Sequence, residues 1–240
     1  FSYDEFKTAF DTILGGAGIE SYSLSRFDMR FDSFDPEHYR DYAKLNRYLI
    51  SALAVTYNVQ NCYDSRNLFS QKQVSVAIKN KRFECENYDK EAESGGRDPA
   101  YARLELRSKC LTSNDIEKQF HGWYIRLDKA LKNLDKVHQR YNDELEKIYK
   151  EEKDAFPVKF RSLTDFLIQY QNCIFCKAQI IDLLSRFDEV KNPETRAKNH
   201  KKRYGIEYFS KMDVEYAVAE IKRAAEKFFK GTEMNLFEKS

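Results

Sequence analysis

The sequence predicts an α+β fold: an antiparallel sheet with helices on one face, followed by a long helical hairpin and a C-terminal helix. Three observations carry that prediction. Segments 24–32, 81–90 and 101–109 alternate one side-chain class with another, as strands with two unlike faces do. From 113 onward the apolar residues recur at threes and fours instead, the spacing of a helix face. Only 8 Gly and 4 Pro stand against 16 Tyr and 18 Phe, which argues against disorder and against a turn-rich barrel. The 240 residues divide accordingly into an α+β sheet domain, 1–111, and a helical region, 112–240.

The elements follow in order. "SYDEFKTAFDTIL" opens with Ser2 as an N-cap and stops at Gly15-Gly16. In "YSLSRFDMRFD", Leu24, Arg26, Asp28, Arg30 and Asp32 take one face of a strand, and Ser25, Phe27, Met29 and Phe31 the other. "DPEHYRDYAKLNRYLISAL" begins a helix at Asp35-Pro36. Strand signal then covers "VTYNVQNCY", "QVSVAIKN", "KRFECENYDK" and "YARLELRSK". "KNKR" reads as a hairpin turn with a basic tip, and "EAESGGRDPA" as a polar loop.

The helical region opens with "SNDIEK", where Asp115 and Glu117 suit the positive end of a helix dipole. Unbroken, a helix over residues 113–153 would be about 60 Å long. Pro157 ends it, and "SLTDFLIQYQNCIFCKAQIIDLLSRF" supplies an apolar second helix, completing the hairpin. A basic stretch, "KNPETRAKNHKKRYG", reads either as a solvated connection or as a DNA-backbone contact through Lys201, Lys202 and Arg203. The last helix runs from about Lys211 to Lys230, and the chain after Tyr208 is a candidate for reading a groove. Trp123 is expected in the core.

Composition limits the function classes. A net charge of +2 gives little global attraction for nucleic acid, so any basic surface must be local. The odd set Cys62, Cys85, Cys110, Cys173 and Cys176 reads as reduced thiols rather than a disulfide framework. The lone CxxC at Cys173 and Cys176 sits in an apolar helical pattern, where core packing is favoured over zinc or redox chemistry. No apolar run approaches a membrane span and no signal-peptide profile is present, so a cytoplasmic protein without a membrane partner is expected.

Three strands carry acids at alternate positions. The first offers Arg26, Asp28, Arg30 and Asp32; the hairpin strand Glu84, Glu86, Tyr88 and Lys90; the last Arg103, Glu105 and Arg107. If their apolar sides share one set of helices, their polar sides share one face. Clustered carboxylates repel unless cations or a metal intervene, and a hard ion such as Mg²⁺ or Mn²⁺ prefers oxygen ligands. The same pattern also suits a solvent-facing sheet with cross-strand ion pairs. Tyr88 adds a nucleophile: a nearby cation, Lys90 or Arg103, favours phenolate, and metal-assisted attack on a phosphodiester is the chemistry such a set performs.

These motifs resemble those of the replication initiation factors of Gram-positive rolling-circle plasmids and the related relaxases of integrative elements. The resemblance rests on "RFDMRFD" (Arg26–Asp32), "YDKEAE" (Tyr88–Glu93) and "ARLELRSK" (Ala102–Lys109), in that order, and covers residues 20–111. It implies strand-specific nicking at an origin, with Tyr88 becoming linked to the 5′ end. Asp28 and Glu105 would be metal ligands or general bases, with Asp32 and Glu86 behind them, and Lys90 assisting catalysis. Lys90, Arg103 and Arg107 would hold phosphates, with Lys79, Lys81 and Arg82 at the hairpin as further DNA contacts. No two of His38, His121, His138 and His200 are closely spaced, so a metal would be held by carboxylates. The partners implied are origin DNA, a second copy of the chain through the helical hairpin, and a helicase. The competing readings are a non-catalytic DNA- or RNA-binding protein using the same face, and a structural helical protein whose charged sheet merely faces water.

Overall fold

The computed structural model describes residues 2–33, 38–59, 76–89, 94–97, 101–109, 111, 115–153, 155, 157, 159–206 and 208–230, with backbone only at positions 39, 88, 89 and 230. Ser2 starts α1 (Tyr3–Gly16) through a capping box: its backbone N–H donates to the Glu5 carboxylate at 2.6 Å, and its hydroxyl accepts from the Glu5 N–H at 3.3 Å. Strand β1 (Arg26–Ser33) follows, then α2 (Tyr39–Thr56). Strands β2 (Val76–Lys79), β3 (Phe83–Asp89) and β4 (Ala102–Lys109) complete one antiparallel sheet in the order β1-β4-β3-β2.

Register decides which side chains meet. Met29, Leu106, Cys85 and Ile78 form one cross-strand row, and all four are buried. This dry face lies against α2, whose Leu45, Leu49, Ala52 and Leu53 are also buried. Asn87 points into the same face, and α2 satisfies its amide: Asn46 Nδ2 donates to Asn87 Oδ1 at 3.0 Å, and Asn87 Nδ2 donates to the Ala43 carbonyl at 3.2 Å.

Helices α3 (Ile116–Leu131) and α4 (Leu134–Lys153) form the first arm of the helical region. Asp115 caps α3, its side chain accepting from the Lys118 N–H at 3.0 Å. Trp123 is fully buried, as expected; its indole N–H donates to Ser108 Oγ at 3.1 Å and its ring meets Phe83 edge-on at 5.5 Å. One hydrophobic cluster runs through both halves of the chain, from Met29 and Leu106 to Leu145 and Leu183.

Several boundaries differ from the sequence expectation. Val55 and Thr56, read as the start of a strand, end α2 instead: the apolar stripe facing the sheet carries the helix on, and the Thr56 hydroxyl donates back to the Ala52 carbonyl at 2.7 Å. Residues 60–63 of that expected strand lie outside the described residues. The long helix breaks at Lys132 and Asn133, where Asn133 Nδ2 donates to Thr56 Oγ1 at 3.1 Å.

The expected second helix is three pieces: α5 (Leu163–Gln169), a 3₁₀ turn (Gln171–Cys173) and α6 (Lys177–Ser185). Ile174 and Phe175 stay buried across the gap, so the apolar pattern runs on although the helix does not. Buried Gln179 serves the freed backbone, accepting from the Phe175 N–H at 2.8 Å and donating to the Cys173 carbonyl at 2.9 Å. Cys173 and Cys176 are buried free thiols, and Cys176 caps α6.

The basic stretch forms a helix, α7 (Pro193–Tyr204), with Asn192 as N-cap, Pro193 in the first turn and Gly205 left-handed at φ 63°. Helix α8 (Lys211–Lys230) closes the chain on α3. No helix among the described residues is long and apolar enough to cross a membrane.

Candidate functional site

The dry face of the sheet fixes the opposite face by the two-residue period of a strand. Three rows result. Asp28 of β1, Arg107 of β4 and Glu84 of β3 form the first, with Lys79 of β2 beyond them; Arg30, Glu105 and Glu86 form the second; Asp32, Arg103 and the backbone position of Tyr88 form the third. The acids expected to converge do so, although they are far apart in sequence.

Arg107 is the centre of the array. Its Nη1 donates to Glu84 Oε1 at 2.5 Å and to Glu86 Oε2 at 2.8 Å, while Nη2 donates to Glu105 Oε2. Asp28 Oδ2 lies 3.7 Å from Arg107 Nε and accepts from Arg26 as well. Arg103 makes a fork onto Asp32, at 2.6 Å from Nε and 2.8 Å from Nη2, and also donates to the Tyr101 hydroxyl. Lys109 Nζ donates to Glu84 Oε2 at 3.1 Å. The pattern is that of rows in which a like-charged pair, Glu86 opposite Glu105, is held by a guanidinium from the adjacent row.

Burial gives these contacts weight. The side chains of Arg107, Arg103, Glu84 and Glu105 are only 10–14% exposed. Burial opposes the charge on Arg107, but Glu105 and Glu84 outweigh it and raise its pKa further. Burial likewise pushes Glu84 toward the neutral form, yet hydrogen bonds from Lys109 and Arg107 hold its carboxyl below the ordinary value. At Glu86 burial wins over the partial compensation from Arg107, and the carboxyl sits above its ordinary value.

The carboxylates therefore surround a guanidinium rather than an open centre. Among the described residues no three His, Cys, Asp or Glu side chains are grouped to hold a metal ion. Asp28, Glu86 and Glu105 face Arg107 and Asp32 faces Arg103, so Mg²⁺ or Mn²⁺ held by these carboxylates would take the place of a guanidinium.

The remaining expected residues fall in three places. Lys81 and Arg82 are exposed at the β2–β3 turn, where Asn80 Oδ1 accepts from the Arg82 and Phe83 N–H groups at 2.8 Å each. Lys201, Lys202 and Arg203 are exposed on the last turn of α7, which packs on α6. Lys90 lies outside the described residues, and Tyr88 is described by its backbone in β3. Lys109 and Tyr101 belong to the array without having been singled out; the alternation of "ARLELRSK" already put Lys109 on the Arg107 face.

No known protein family, curated protein or solved structure matches the chain.

Proposed function

We propose that this chain is a strand-nicking replication initiator or relaxase in which Tyr88 attacks a phosphodiester of origin DNA. The observation that carries the reading is the register: the three motif strands are neighbours, and Tyr88 stands across from Arg103, one row from the Glu86–Glu105 pair. The phenol oxygen of Tyr88 forms a bond to phosphorus as the bond from phosphorus to the 3′ oxygen breaks. The 5′ phosphate is then linked to tyrosine and the 3′ end leaves as a hydroxyl. Glu86, two residues before Tyr88 on the same side of β3 and with its pKa raised by burial, takes the phenol proton and supplies one to the leaving oxygen. Arg103 holds the phosphate by exchanging part of its fork to Asp32. Exposed Lys81 and Arg82 beside this face bind the flanking backbone.

A second reading, a non-catalytic DNA- or RNA-binding protein, rests on exposed Lys81 and Arg82, which can meet a phosphate backbone while Arg103 and Arg107 stay engaged by carboxylates. Incubation with supercoiled plasmid and origin oligonucleotides, with Mg²⁺ or Mn²⁺ and with neither, separates the two. Nicking with a protein–DNA adduct that vanishes in Tyr88→Phe, and is slowed about 10²–10⁴-fold in Glu86→Gln, supports the first. An adduct undiminished in Tyr88→Phe refutes the assignment of the nucleophile. Salt-dependent binding without any adduct supports the second.

A further inference from the structure

A separate hollow of about 520 Å³ lies in the helical half, where the end of α4, the start of α5 and the α6–α7 connection meet. Lys153, Arg161, Lys191 and Arg196 line it, and Glu189 is the one carboxylate among its described lining residues. Both oxygens of Glu189 are already engaged: the Tyr149 hydroxyl donates to Oε1 at 2.6 Å, and Lys153 Nζ lies 3.4 Å from Oε2. Arg161 and Lys191 have no ion-pair partner among the described residues; Arg196 Nη2 donates to the Thr164 hydroxyl at 2.7 Å, and its charge helps hold the Glu189 carboxyl below the ordinary value.

Cations gathered around a hollow repel one another unless an anion joins them. The fold tolerates that repulsion here while, on the sheet face, it surrounds Arg107 with carboxylates. Positive potential from Arg196 reaches the core, where it adds to burial in keeping His200 neutral. The volume lies within the range of small-ligand sites. Guanidinium groups beside ammonium groups suit a multiply charged oxyanion, with Arg161 and Arg196 giving planar paired contacts and Lys191 a point charge.

We propose that this hollow binds a phosphate group, carried either by a free polyphosphate ligand or by a nucleic-acid strand. The site stands apart from the sheet face and does not rest on the nicking reading.

The test uses the full chain and two probes in titration calorimetry: inorganic pyrophosphate, and a short oligothymidylate without terminal phosphates. Saturable binding of one probe or both is expected, weakened about tenfold or more in Arg161→Glu/Lys191→Glu, since charge-assisted contacts are lost. Lys132→Glu/Lys136→Glu makes the same change of net charge at exposed positions outside the hollow and should bind as the parent does. Circular dichroism checks that both variants keep the parent fold. If charge reversal unfolds the chain, Arg161→Gln/Lys191→Gln gives the same comparison. Loss confined to pyrophosphate identifies a free ligand, and loss of oligothymidylate affinity identifies strand phosphates. The proposal is overturned if neither probe binds, or if the Lys132/Lys136 pair weakens binding as much as the Arg161/Lys191 pair.

Discussion

Arg107→Gln tests whether the sheet face is a cooperative buried array or a set of solvated ion pairs. The substitution removes the group that Glu84, Glu86 and Glu105 share. Breaking a buried pair costs roughly 3–5 kcal/mol, because the surviving charge is left without compensation. Lys109 still holds Glu84 at 3.1 Å, and Arg103 Nη1 lies 3.9 Å from Glu105 Oε1, so the lower end applies. We expect a loss of about 3 kcal/mol at pH 7, or roughly 6–12 °C in Tm for a chain of this size.

The pH dependence has a definite sign. In the parent, Glu84 is held low, so its contribution is present above its ordinary pKa and is lost as pH falls through the lowered value. Without Arg107, Glu84 keeps only Lys109 against burial and rises from its low value, while Glu86, already raised, rises further. A raised carboxyl stabilises the folded state below its ordinary pKa and loses that contribution as pH rises through the raised value. The gap between parent and variant is therefore widest near neutrality and narrows toward pH 4. Urea unfolding at pH 7 and pH 4.5 measures both quantities. A loss below about 1 kcal/mol that is equal at the two pH values would refute the buried-array account. In the same variant, Mn²⁺ should raise Tm more than it does in the parent, since Glu84, Glu86 and Glu105 then lack the guanidinium they share.

Three further outcomes are expected. His200 is buried with its pKa pushed down to about 4, first by burial and then by Arg196 and Lys44. The unfolded chain takes up this proton first, so stability falls between about pH 6.5 and 4 at up to about 1.4 kcal/mol per unit, and His200→Gln should flatten that part of the profile. Asn87→Ala should cost about 1–3 kcal/mol in urea unfolding, because the buried Ala43 carbonyl and the half-buried Asn46 amide each lose a partner. Cys85, Cys173 and Cys176 are buried, with burial raising each thiol pKa, so their reaction with a thiol reagent at pH 8 should be slow until urea is added. Fast labelling of all three in the native protein would contradict their placement.

The sheet and its two-faced character were readable because strand periodicity acts residue by residue. Alternation in "RFDMRFD" and "ARLELRSK" fixes which side chains share a face whatever the partner strand is. Helix α8 was readable for a similar reason, as was the burial of Trp123. The continuation of α2 to Thr56 was not, since Val55 and Thr56 favour strands locally and only their place against the sheet decides otherwise. Nor was the break at Cys173–Cys176, because Ile174 and Phe175 are buried either way and the backbone is satisfied by Gln179 from the following helix.

The sequence by itself determined that acids and arginines share one face within each of three strands. Tertiary structure decided what surface those faces make. Pairing β4 between β1 and β3 puts Arg107 within reach of Glu84, Glu86 and Glu105 at once, and a guanidinium with its donors in a fixed fork holds carboxylates that would otherwise repel. The cation-lined hollow is a tertiary product too. Lys153, Arg161 and Arg196 come from separate segments, and only the packing of helices sets them around one space with so little negative charge.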